Sequence, residues 1–241
     1  MKNTMKAGAL LLAGMLALSA CGSSDEPASA SDSEAASASP SPTATLAVGQ
    51  EQYTADELLA AIEAVNAAQG GTGEVSDDAA FRAYLTDQSL PEDIMVTPAE
   101  CEGIAGFANF FGDVDQANLA SVKLGSDQKL TVVSHPEASA LDAQMQDNDG
   151  LLGECAEFEM GDEEFTAAGT TERLDVSTGA PQTQAFSLTM TAEGTTLSGL
   201  KVSAATGTTN IVLTDSDAAD PEEASARAAE LIDAVLAELE K

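Results

Sequence analysis

A single histidine bounds the chemistry open to this chain. His135 is the only imidazole among 241 residues, so a hydrolytic triad, which sets a histidine between a nucleophile and an acid, would have to be built on it. It stands directly before Pro136, at the expected end of a strand, and that place predicts a surface position rather than a catalytic one. Carboxylate pairs such as Asp162, Glu163 and Glu164 could in principle serve a glycosidase. With 41 acidic residues, however, many fall side by side without a shared task, so the pairs are not specific. Calcium chemistry can be tested at Asp147-Asn148-Asp149-Gly150. With Asp149 and Gly150 at the fifth and sixth loop positions, Met145 and Ala156 fall where an Asp and a Glu are required. Asp215-Ser216-Asp217 fails likewise, because Ala219 and Asp220 stand where an acid and a glycine belong. Gly70-Gly71-Thr72-Gly73 lacks the lysine and the preceding strand of a phosphate loop. No catalytic residue, no cofactor and no metal site is expected.

The cysteines are more informative. Lys2 and Lys6, the apolar run from Ala9 to Leu18 and the small residues before Cys21 make a secretory signal over residues 1–20. Leu18-Ser19-Ala20-Cys21 resembles the lipobox of bacterial lipoproteins, which implies lipidation, palmitate included, at Cys21. The apolar run falls short of the roughly 20 residues a membrane span needs. Cys21 is then the anchor, and Cys101 and Cys155 remain as the one pair. In an oxidising compartment such a pair is expected to form a disulfide bond. A zinc site is not expected, since no paired Cys spacing exists and there is one histidine.

Residues 21–48 form an expected disordered tether of Ser, Ala, Pro, Thr and acids, too poor in apolar side chains to offset chain entropy. About 27 such residues average roughly 30 Å end to end. The net charge is −32. With the four tether acids and the two signal lysines set aside, residues 49–241 keep 37 acidic and seven basic side chains. Those seven are Arg82, Lys123, Lys129, Arg173, Lys201, Arg227 and Lys241. They form no cluster in sequence, so nucleic acid and anionic lipid headgroups are not expected as partners.

The elements that must position these residues follow from periodicity. Thr54 with Glu57 is a capping box opening a helix that buries Leu58, Ile62 and Val65 and ends at Gly70-Gly71. A shorter helix is predicted from Asp77 to Leu85, burying Phe81 and Leu85. Thr97-Pro98-Ala99-Glu100 predicts a third helix start, with Cys101, Ile104, Phe107 or Ala108, and Phe111 along its inner side. Strands are expected at Ala120 to Leu124 and Lys129 to Ser134, then a helix from Glu137 to Gln146 stopped by the Asp147 to Gly150 segment. Period two takes over in Cys155 to Met160, Glu164 to Ala168, the Phe186-Leu188-Met190 alternation, Leu200-Val202-Ala204 and Asn210 to Thr214. A helix from Pro221 to Glu240 closes the chain, with Ala224, Ala228, Leu231, Val235 and Leu239 as its stripe. The fold class is α+β: an antiparallel β-sheet with helices packed on one face, preceded by a helical extension over 49–94, with the main domain at 95–241.

A Thr-Pro-Ala-Glu-Cys helix start at Thr97 to Cys101, a Cys-Ala-Glu-Phe strand at Cys155 to Phe158, a strand meander and a closing amphipathic helix together resemble the PknH-like extracellular sensor domains of actinobacterial lipoproteins and receptor kinases. The resemblance implies a membrane-anchored, extracytoplasmic, sensor-like module that is not an enzyme. Its partners would be the membrane, through the lipid anchor, and an unknown cell-wall ligand or protein. A wall-associated enzyme and a structural or lipid-carrier lipoprotein are the alternative readings.

Overall fold

The computed structural model describes residues 48–87, 91, 93–105, 111–162 and 164–241. The chain divides into two units, Met1–Thr43 and Ala44–Lys241. The first, where the signal, Cys21 and most of the tether are expected, lies outside the described residues. In the second, nine antiparallel strands among the described residues make one sheet. In chain order the elements are α1 (Ala55–Ala68), β1 (Glu74–Ser76), α2 (Asp78–Asp87), β2 (Met95–Thr97), a 3-10 turn (Ala99–Cys101), α3 (Glu102–Ala105), β3 (Asn118–Leu124), β4 (Gln128–Ser134), α4 (Ala138–Glu154), β5 (Glu157–Gly161), β6 (Thr166–Arg173), β7 (Gln182–Ala192), β8 (Thr195–Thr206), β9 (Thr209–Asp215) and α5 (Pro221–Leu239). Across the sheet the strands run β1-β3-β4-β9-β8-β7-β6-β5-β2.

Alternation along the central strands gives the sheet two unlike faces. On the first, Leu130 and Val132 of β4, Ile211 and Leu213 of β9, and Leu200, Val202 and Ala204 of β8 are buried with Leu58, Ile62 and Val65 of α1 and Ala224, Ala228, Ile232 and Val235 of α5. This is an ordinary apolar core, and both helices are well started. Thr54 caps α1 with the reciprocal Glu57 contact, and Asp220 accepts from the Glu223 amide ahead of Pro221 in α5. The chain enters the fold through a close approach of two backbones. Gly49 (φ 77°) and Gly207 (φ 53°) pass so near each other that a Cβ on Gly49 would lie 1.9 Å from the Thr206 carbonyl oxygen. The Thr208 amide donates to the Gly49 carbonyl at 2.9 Å.

The second face is covered by α2, α3 and α4 in separate clusters. Phe81, Phe111, Leu119, Val133 and Val212 form one. Ile104, Leu152, Phe158, Phe186 and Leu188 gather around Cys101 and Cys155, whose sulfurs are 2.10 Å apart with the Cα atoms at 5.6 Å.

The antiparallel α+β class stands as expected, with helices on both faces rather than one. Residues 49–94, expected as a helical extension, supply α1, β1 and α2 to this same sheet and core. Thr97 does not cap a helix. It is taken into β2, where it pairs with Glu159 of β5, and the turn after Pro98 has no side-chain cap. Cys101 and Ile104 are nonetheless buried; Phe107 and Ala108 lie outside the described residues. The helix expected to stop at Asp147 runs on to Glu154, because Leu141, Met145, Asn148 and Leu152 continue its buried stripe. That stripe outweighs the roughly 1 kcal/mol that Gly150 costs within a helix.

Candidate functional site

The alternation that gives β4, β8 and β9 their apolar face puts Lys129, Thr131, Asn210, Thr214, Lys201 and Ser203 on the other. Four of these polar residues are not on the surface: Lys201 is 0 % exposed, Ser203 3 %, Asn210 1 % and Thr131 1 %. Burying hydroxyl, amide and ammonium groups is costly unless each is engaged, and this face is partly organised to do so. Ser203 donates to Oδ1 of Asn210 at 2.8 Å and lies 3.8 Å from the Met145 sulfur of α4. Gln184 of β7 donates to the Met145 carbonyl at 2.6 Å.

Register draws the basic residues together as well. Lys123 of β3 pairs with Lys129, Lys129 with Thr214, Thr214 with Lys201, Lys201 with Phe186, and Phe186 with Arg173 of β6. Directly paired residues point to the same side of a sheet. Four of the seven basic side chains of residues 49–241 therefore stand in one row across six strands, although they form no cluster in sequence. The row is invisible in the sequence, because its members are 6 to 78 positions apart and only strand pairing aligns them.

Aromatic rings border it. The Lys129 ammonium lies 2.9 Å from the Tyr84 ring centroid and 5.6 Å from that of Phe81. The Lys201 ammonium is 5.1 Å from the centroid of Phe111, which meets Phe81 edge-on at 5.7 Å. Desolvation, with the neighbouring Lys123 charge, pulls the Lys129 pKa down to about 8. Complete burial pushes that of Lys201 well below the ordinary lysine value. Arg173, at the far end, is paired with Asp149 of α4.

His135 also lies on this side, and it is buried rather than at the surface, at 2 % exposure. Its Nε2 has no hydrogen-bond partner among the described residues. Burial lowers its pKa, with Asp113 opposing the shift. Neighbouring Ser134 faces the other way, where its Oγ accepts from the Tyr53 amide at 2.9 Å, so the two do not form a nucleophile and base pair. Among the described residues no three His, Cys, Asp or Glu side chains are grouped to hold a metal ion. The Asp147 to Gly150 segment is helical rather than a loop. In the other tested loop, the Asp215 carboxylate accepts from the Asp217 amide and the Gln128 side chain.

A separate open cleft of about 600 Å³ lies between residues 172–177 and the first half of α5. Glu172, Asp175, Glu222, Glu230 and Asp233 give it an acidic rim. It shares with the polar face only Arg173, and its charge is that of the rest of the surface.

No protein-family model matches the chain, and no curated protein matches it. Solved structures do. The extracellular domain of PknH from Mycobacterium tuberculosis is similar at a TM-score of 0.49 and 17% identity, over 79% of this chain and 98% of that one. An uncharacterized protein from Mycobacterium smegmatis, the Rv0999 ortholog, is similar at 0.43 and 18% identity, over 75% and 97%. The PknH extracellular domain, implied by the Thr97 to Cys101 and Cys155 to Phe158 motifs, is thus among the structural neighbours.

Proposed function

We propose that this protein is an extracytoplasmic lipoprotein, anchored in the cell membrane through Cys21, which binds a small ligand or a partner in the wall space without chemically altering it. The observation that carries the reading is the buried polar face. A sheet already stabilised by a full apolar core on one side keeps lysine, serine, asparagine and threonine inside its other side, where Val or Leu would pack at lower cost. Sequences depart from such local rules chiefly where a site is held. The Cys101–Cys155 disulfide fits an oxidising compartment outside the cytoplasm. No helix among the described residues is long and apolar enough to cross a membrane, in keeping with attachment by acyl chains, each buried methylene of which contributes about 0.8 kcal/mol.

Native mass spectrometry of the protein purified from its own host tests the binding reading. A stoichiometric adduct of the wild type, lost on replacing Ser203 and Asn210 together by alanine in a variant with unchanged circular dichroism, is the expected result. Turnover of wall material by the purified chain, or an adduct indifferent to those changes, would refute it. The anchor is tested separately. Cys21→Ala should move the protein to a membrane-free fraction or stall its processing, and a processed variant still bound to membranes would remove the lipoprotein claim.

A further inference from the structure

The lysine row has an open end. Lys201 is sealed in the interior and Arg173 is paired with Asp149, but Lys123 is exposed and Lys129 half-buried. Neither Lys123 nor Lys129 makes an ion pair among the described residues. This is an unusual arrangement for a chain with 41 acids and nine basic residues. Like charges directly opposite each other in a sheet destabilise it, and an acid on a neighbouring position would relieve them. Glu74 of β1 is aligned with Lys123 on its outer side, yet its carboxylate is not within ion-pair distance of the lysine. What Lys129 has instead is the faces of Tyr84 and Phe81. Cation–π contact offsets part of the cost of an ammonium but supplies no hydrogen-bond acceptor in the plane of a carboxylate. Tyr84 is itself 40 % exposed while Phe81 is buried behind it, so the ammonium pair and Tyr84 can be reached from solvent.

We propose that Lys123 and Lys129, bordered by Tyr84, are the anion-recognising end of the ligand site and take a carboxylate or phosphate group, with an apolar part of the same ligand lying against the Tyr84 ring. The assignment rests on the reading of this face as the binding site, and it names the ligand class. Adjacent strands stand about 4.8 Å apart, so two oxygens of one anionic group can each receive a charge-assisted hydrogen bond from one of the two lysines. The strongly negative remainder of the protein acts mostly over distance, and at physiological ionic strength charges beyond about 8 Å are largely screened. Glu74, aligned with Lys123, is the carboxylate beside this end, and the two ammonium groups outnumber it.

Lysine side-chain NMR signals of the protein, followed during separate titrations with inorganic phosphate and with succinate against sodium chloride at equal ionic strength, test the proposal. The expected result is saturable movement of the Lys123 and Lys129 signals by at least one of the two anions, with Lys241 stationary. Lys123→Gln and Lys129→Gln should each weaken the apparent affinity about tenfold, and Arg227→Gln on the opposite face of the fold should leave it unchanged. Saturation by phosphate alone assigns a phosphate ligand, and by succinate alone a carboxylate. Movement of all lysines together in proportion to ionic strength, or equal affinity in Lys123→Gln, which alters an exposed side chain and leaves the core intact, overturns the assignment. A copurified neutral ligand displaced by the Ser203 and Asn210 changes would leave the binding reading standing while removing the anion.

Discussion

At the scale of single residues, burial of ionisable groups on one face ties stability to pH in directions that can be worked out. His135 in the unfolded chain takes up a proton near pH 6.5, whereas burial lowers its pKa in the fold. Between the folded value and 6.5 the unfolded state binds more protons, so stability falls as pH drops through that window. Urea denaturation of wild type and His135→Gln between pH 7.5 and 5.5 should therefore show the wild-type curve losing ground to the variant as pH falls, and parallel curves would contradict the burial. Lys129 works at the other end. With a folded pKa of about 8, it makes stability rise as pH climbs from about 8 toward the unfolded lysine value near 10.4. Lys129→Gln should flatten that rise. Above about pH 10 the raised pKa values of Tyr53 and Tyr84 act in the opposite sense, because the unfolded tyrosines ionise first. The disulfide belongs to this scale as well. A separation of 54 residues between Cys101 and Cys155 corresponds to about 4 kcal/mol of stabilisation in the chain-entropy account. Replacing both cysteines by alanine should lower the unfolding free energy by about that amount, and an unchanged denaturation midpoint would count against it.

At the scale of elements, what could be read in advance was whatever is written in local chemistry. The α1 cap at Thr54 and Glu57, the start of α5 at Pro221 and the β7 alternation are each fixed by neighbouring residues, and each is where the sequence places it. The misses share one cause, which is competition from distant partners. Thr97 reads as a cap until β5 claims it, Asp147 to Gly150 reads as a stop until Asn148 and Leu152 find a core, and β1 and β2 are three-residue edges with no periodicity of their own. The candidate site fails to show for the same reason, because Lys129 and Lys201 are neighbours only through Thr214 of a third strand. The entry to the fold offers a test at this scale. Gly49 and Gly207 both have positive φ, and a side chain on either meets backbone rather than a yielding side chain. Gly49→Ala and Gly207→Ala should each cost more than about 1 kcal/mol. Thr54→Ala, which removes only a cap, should cost about 1 kcal/mol. A reversed order in thermal unfolding would show that the 48–51 segment is not part of the cooperative fold.

At the scale of the whole molecule, a net charge of −32 on 241 residues sets a field that no single pair explains. Among the described residues four ion pairs are formed, and three of them tie neighbours within a helix or its end, so most of their carboxylates have no cation in ion-pair contact. Exposed pairs of this kind contribute about 1 kcal/mol or less, too little to balance repulsion spread over the surface. The compact state holds these charges closer together than the unfolded chain does and is destabilised by them, and counterions screen the effect within about 10 Å at 0.1 M salt. Stability should therefore rise steeply with sodium chloride between about 10 and 200 mM and level off beyond, when the Debye length becomes shorter than the spacing between surface charges. Divalent ions ought to act through the same screening. With Asp149 committed to Arg173 inside a helix and Asp215 to Gln128 and the Asp217 amide, neither acidic segment presents the oxygen cage that calcium selects. Calcium and magnesium at equal ionic strength should raise the melting temperature equally. A saturable increase specific to calcium would mean that the acidic surface is a built site rather than a field, and would shift the search for a ligand from the lysine row to the carboxylates.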